Sequence, residues 1–199
     1  MPKKQKFKLP RGVEKARKKV GHALTRYRIV YELLVALLIV GIIFFGVRGT
    51  LCLALRTGDP YRAVISPSMA HADDLWRNYF SKLGYDTSSF PLQAGFERGD
   101  LIFVQGVNPL EDIRIGDVII VDRGPSVTPL VHRVIEIWEE NGEIWFKTKG
   151  DANSASYEFY YEGGVKVPGD YPIRPQQILG RVIFSIPKLG YLSLWFQGQ

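Results

Sequence analysis

Residues 131–147 hold two apolar, β-branched runs, Val131-His132-Arg133-Val134-Ile135-Glu136-Ile137-Trp138 and Glu143-Ile144-Trp145-Phe146-Lys147, with Asn141-Gly142 between them. Val, Ile and aromatic side chains fit a pleated, half-buried surface, so both runs read as strands. Asn-Gly tolerates the left-handed backbone that a tight hairpin turn requires. Working outward, Arg62-Ala63-Val64-Ile65, Asp100 to Val104, Val118 to Val121 and Ile178 to Ile186 are similar short runs divided by Gly-Asp, Pro and Asn signals. The expected fold is therefore mainly β. Residues 70–95 depart from it: Asp73-Asp74-Leu75-Trp76 starts a short helix and Gly, Ser and Pro follow, which predicts a partly helical insertion.

Upstream the chain changes character. Ile29 to Val47 is apolar apart from Tyr31 and Glu32 at its start, and the run continues less strictly past Arg48 to Leu55. Nineteen helical residues cover about 28 Å, close to the ~30 Å of a bilayer's hydrocarbon. Leu33 to Phe45 has no polar position at helical spacing, as a buried amphipathic core helix would. A cleaved signal peptide fits poorly, because the lead-in is long and no small-x-small site follows. The division expected is a basic tail (1–28), a transmembrane anchor (29–55) and a body (56–199).

Charge follows the same division. Residues 1–28 carry eleven Lys and Arg against Glu14, whereas residues 57–199 carry thirteen against eighteen Asp and Glu, a net of −5. A nucleic-acid-binding body is disfavoured. The basic tail places the N-terminus in the cytoplasm and the body outside it by the positive-inside rule. Cys52 is the single cysteine, so neither an internal disulfide nor a cysteine metal site can form. Arg98-Gly99-Asp100 and Gly116-Asp117 each precede a strand and read as turn aspartates capping backbone N–H groups. His71-Ala72-Asp73-Asp74 reads as a helix start rather than a metal cluster.

Chemistry centres on Ser66-Pro67-Ser68-Met69. A serine hydroxyl attacks a carbonyl only when a neighbouring base takes its proton. Of the three histidines, His22 lies in the tail, His71 in the insertion, and His132 in an apolar strand. His132 is the expected base, although alone it would read as a core histidine. Asp151, in Lys149-Gly150-Asp151-Ala152-Asn153, would orient and support the imidazole, its plainer reading being a turn. Ser66, two residues before Ser68 on the same side of an extended segment, could join the Ser68 N–H in an oxyanion hole.

Taken together and in order, these segments resemble the type I signal peptidases. Ser66-Pro67-Ser68-Met69 resembles that family's nucleophile box, Gly116-Asp117-Val118-Ile119 and His132-Arg133 its next boxes, residues 147–153 its acidic box, and Ile186-Pro187-Lys188-Leu189-Gly190-Tyr191 its C-terminal signature. A histidine where the bacterial branch has lysine resembles the archaeal and endoplasmic-reticulum branch, and makes Lys147 and Lys149 poor rivals for the base. The resemblance implies a signal-peptidase-like β domain that removes N-terminal signal peptides by cleavage after small residues. It further implies preproteins as substrates, membrane lipid and the protein-translocation machinery as partners, no metal or organic cofactor, and a single-pass place in the cell membrane. Substrate is expected to bind extended beside Arg62 to Ser66.

This sequence also departs from the pattern. Where the family often has a second aspartate, six residues after the first, it has Tyr157, with Glu158 beside it as an auxiliary acid. Ala70-His71 replaces the usual polar residue and proline after Ser-Met. Two other readings stand beside the peptidase. Self-cleaving repressor-type proteases share the serine box but are cytosolic and use lysine. The other is a noncatalytic, membrane-tethered β module at the translocation site.

Overall fold

A continuous helix, α1 (Arg11–Leu55), carries the apolar run in a computed structural model that describes residues 11–125, 127–153, 159–162, 165–168 and 172–198. The helix begins well before the apolar run, inside the segment expected as a basic tail. Its stretch Arg26–Leu55 is long and apolar enough to cross a membrane, and none of its most apolar window is buried by protein. Leu37, Val40 and Phe45 are each more than half exposed. A soluble core helix would have those side chains covered. Glu32, the acid at the head of the run, is paired with Arg28 one turn earlier, Nε to Oε1 2.8 Å.

Residues 51–199 form a second unit, built on an antiparallel sheet. Its strands are β1 (Tyr61–Ala63), β2 (Leu101–Gln105), β3 (Val118–Val121), β4 (Leu130–Glu140), β5 (Glu143–Lys149) and, after the separate hairpin β6 (Phe159–Glu162) and β7 (Val165–Pro168), β8 (Ile178–Ile186). The six-stranded order is β1-β2-β8-β3-β4-β5. Strand β1 is thus an edge, and the chain continues from it into the serine segment. The hairpin between β4 and β5 turns at Asn141 (φ 54°) and Gly142 (φ 79°), both left-handed as Asn-Gly predicts.

All four residues of β3 are buried, and their alternation divides them between two cores. Val118 and Ile120 join Val64, Met69, Phe96, Ile102, Val104 and Val182. Ile119 and Val121 join Ile113, Val134, Phe146, Ile173 and Ile178. The insertion supplies a third cluster, in which Trp76 and Phe80 of α2 (Leu75–Lys82) pack on Ile135 of β4. Asp73 Oδ1 accepts the Leu75 N–H, the helix start read from sequence. Asp100 and Asp117 also act on backbone: Asp100 accepts the N–H of Glu97 and of Lys188, Asp117 that of Arg114. Two further helices are α3 (Pro109–Asp112) and α4 (Tyr191–Gln197). In α4 Leu194 is buried, while Tyr191, Leu192, Trp195 and Phe196 are exposed, so core packing explains only the first of these.

Candidate active site

Ser68 occupies a tight turn in which the Ala70 N–H donates to the Pro67 carbonyl at 2.9 Å. Proline fixes the entry to the turn, and Met69, 1% exposed, pins its far side in the core. From the other side the Ala152 N–H donates to the Ser68 carbonyl at 3.0 Å. The approach is close enough that a Cβ on Gly150 would sit 2.8 Å from the Ser68 carbonyl oxygen and 2.7 Å from the Asn153 side chain. Glycine is needed there because two backbones meet. The nucleophile candidate is thus held by its main chain between the core and the acidic loop, with its side chain half-buried. Ser66 is exposed, and its Oγ lies 3.2 Å from Ser68 Oγ. The i and i+2 spacing predicts these hydroxyls on one side; they do lie together, at the entry to the turn rather than along an extended strand.

Asp151 is buried at the centre of a charged knot. Arg133 Nε lies 3.0 and 3.1 Å from its two carboxylate oxygens and Nη2 2.7 Å from Oδ2. The same guanidinium donates through Nη1 to the carbonyls of Pro91 (2.9 Å) and Gly116 (2.7 Å). One fully buried side chain therefore joins β4, the acidic loop, the end of the insertion and the loop before β3. Gly116 contributes by lacking a side chain: at φ +94°, its Cβ would run into the Phe90 ring. Trp76 lies 4.6 Å beneath the guanidinium, a cation–π contact.

The second partner of Asp151 is His71, whose Nε2 lies 2.7 Å from Oδ2. Its Nδ1 lies 3.0 Å from the Gln93 carbonyl oxygen, and its ring stacks on Trp76 at 4.9 Å. With both ring nitrogens committed in this way, His71 is not available to take the Ser68 proton. Burial on its own would raise the Asp151 pKa. The hydrogen bonds from His71 and Arg133, with their charges, outweigh burial and hold the carboxyl below its usual range.

His132 is buried in β4 opposite Ile119, and its neighbour Arg133 is opposite Val118. Successive strand residues face opposite ways, so the imidazole leaves on the Ile119 side and the guanidinium on the Val118 side. The structure thus brings Ser66, Ser68 and the Asp151 loop together. It joins Asp151 to Arg133 and His71, and not to His132, which precedes Arg133 on β4 but faces the other side of the strand. Glu158 and Tyr157 lie outside the described residues. His71 and Arg133 were not expected as partners of Asp151: His71 is 80 residues from it in sequence, and neither periodicity nor spacing signals such a contact. A buried arginine beside the base candidate, in His132-Arg133, was the one available hint, since a buried charge needs a partner.

No family model matches the chain. Among curated proteins it is 32% identical over 104 residues to the signal peptidase complex catalytic subunit of Colletotrichum graminicola, covering 52% of this chain and 57% of that one. The corresponding subunit of Lachancea thermotolerans is 32% identical over 106 residues, covering 52% of this chain and 60% of that one. That of Schizosaccharomyces pombe is 27% identical over 143 residues, covering 57% and 74%. The chain spans between about half and three quarters of the length of these relatives. Over about half of its own length, this chain is similar to the catalytic subunit of the signal peptidase complex.

Proposed function

We propose that this chain is a membrane-anchored serine endopeptidase that removes N-terminal signal peptides from preproteins, with Ser68 as nucleophile and His132 as general base. The observation that carries the reading is the serine turn: two hydroxyls 3.2 Å apart, on a backbone clamped between Met69 in the core and the acidic loop. Similarity to signal peptidase catalytic subunits supplies the substrate class.

The preprotein binds extended along edge strand β1 and the residues after it, where backbone groups of the sheet edge pair with those of the substrate. Ser68 Oγ attacks the scissile carbonyl as His132 takes its proton. The tetrahedral oxyanion is met by the Ser68 N–H and the Ser66 hydroxyl. His132 then protonates the leaving amine, and water releases the acyl group. Asp151 acts through Arg133 and the loop it fixes, and Glu158, adjacent in sequence to the position of the second aspartate, is the auxiliary acid. The helix Arg26–Leu55 anchors the chain in a membrane with its N-terminus cytoplasmic. The partners are lipid and a signal peptidase complex at the translocation site, and no cofactor takes part.

The test is cleavage of a purified preprotein in detergent by wild type, Ser68→Ala and His132→Ala, with mass analysis of the products. Cleavage after a small residue, lost in both variants, supports the assignment. Cleavage surviving Ser68→Ala overturns it. A folded wild type that cleaves nothing, alone or with added partner subunits, points instead to the noncatalytic module, a reading that Tyr157 at the usual aspartate position favours.

A further inference from the structure

His71 is surrounded by groups that only accept. A backbone carbonyl, Gln93 O, lies 3.0 Å from Nδ1, and Asp151 Oδ2 lies 2.7 Å from Nε2. A neutral imidazole has one N–H and one lone pair, so it can satisfy only one of these contacts. The second proton could in principle sit on Asp151. Three contacts from the Arg133 guanidinium, a cation that keeps its protons, favour the ionised carboxylate over a neutral acid at that place. The depressed pKa of Asp151 agrees with that placement. The proton therefore belongs to the ring.

The contacts on either side of the ring lie in two different parts of the chain. Gln93 closes the insertion: its Nε2 donates to the carbonyls of Thr87 and Phe90, and its Oε1 accepts from Arg77. Next to it the segment is bridged to the serine turn, by the Ala70–Gly95 pairing and by the Phe96 N–H on the Met69 carbonyl at 3.1 Å. Asp151 lies in the loop that holds the Ser68 carbonyl. The charges around the ring come from every neighbouring element: Arg133 in β4, Asp151 after β5, Arg77 in α2 on the Trp76 ring, Asp73 and Asp74 just before α2, and Lys149 over Tyr79.

We propose that His71 is a positioning residue for the Ser68 chemistry, an imidazolium that fastens the insertion to the acidic loop and so holds the serine turn in place. This rests on the peptidase reading for its link to catalysis, but its structural half does not. Losing the ring proton leaves a lone pair facing a carboxylate or a carbonyl, which loosens residues 70–95 and the turn they flank.

The experiment uses the full chain in detergent micelles. Ring ¹⁵N spectra, assigned with His22→Gln and His132→Gln, are expected to show both His71 nitrogens protonated, and Asp151→Asn is expected to abolish that signature. His71→Gln is expected to lower kcat about 10- to 100-fold with little change in KM, since a hydrogen bond to a charged group is lost. It is also expected to speed amide exchange across residues 70–95. His71→Lys, which keeps a cation with several donors, should recover part of kcat. A singly protonated ring in wild type overturns the proposal and needs no variant to fold. Wild-type kinetics and exchange in His71→Gln, with Ser68→Ala inactive, overturn it while leaving the peptidase reading intact. If Ser68→Ala still cleaves, the peptidase reading fails, and the ring spectrum and exchange still decide the fastening role.

Discussion

Arg133 and Asp151 form a fully buried ion pair in which Nε and Nη2 of the guanidinium address the carboxylate together, at 2.7 to 3.1 Å. The fork geometry matters as much as the charge, because Nη1 remains free to hold Pro91 and Gly116. Removing one partner of such a pair strands the other. Arg133→Met is therefore expected to cost roughly 3–5 kcal/mol of stability, and Arg133→Lys to recover only part, because a lysine cannot span all four acceptors. Urea unfolding of the variants in detergent measures both.

Acid should find the same pair. The folded pKa of Asp151 lies below its unfolded value, which is about 3.9 for a free aspartate. Its contribution is thus fully present above that pH, and is lost as pH falls through the lower folded value. Unfolding midpoints followed downward from pH 6 should drop more steeply in wild type than in Asp151→Asn, which starts less stable and has no such proton to take up.

Ser66 and Ser68 should separate by kinetics. Ser68→Ala is expected to reduce cleavage to background. Ser66→Ala is expected to lower kcat by about 10²–10³-fold if its hydroxyl is one of the oxyanion donors, with KM almost unchanged. A Ser66→Ala protein whose KM rises while kcat holds would place that hydroxyl in substrate binding instead.

At Gly150 the test is steric. Ala at this position brings a methyl to 2.8 Å from the Ser68 carbonyl oxygen, so the loop or the turn must move. Since a displacement of about 1 Å can cost 10²-fold in a positioned reaction, Gly150→Ala should lose most of its kcat while keeping a near-normal melting temperature.

Trp76 joins the insertion to the sheet. It is 1% exposed, packs with Phe80 and Ile135, and carries Arg133 and His71 against its ring. Trp76→Ala is expected to cost roughly 3–5 kcal/mol, read as a lower urea midpoint. It should also expose residues 70–95 to protease before the sheet unfolds.

The strands were legible because their signals are local. Val118 to Val121 is apolar throughout and is buried on both faces, and Asn141-Gly142 turns where Asn-Gly should. The approach of Ser66 and Ser68 was legible from their i and i+2 spacing, whereas the turn that closes from Pro67 to Ala70 was not, because the segment read as extended. The partners of Asp151 were not. His71 reaches it across 80 residues, through a fold that the β4–β5 pairing and the insertion create together. Its place in a segment read as an insertion argued against a part in the site. The start of α1 at Arg11 was missed for another reason: Lys and Arg favour helices well enough to extend one that an apolar run has already nucleated.

Met69 and Ala152 together locate Ser68 by its main chain, so its side-chain oxygen, the proposed nucleophile, has little part in holding the turn's shape. A chain stripped of that oxygen should keep its grip on whatever it would otherwise have cut. Ser68→Ala is thus a ready-made bait, able to retain an uncut preprotein long enough for its sequence to be read from the bound complex.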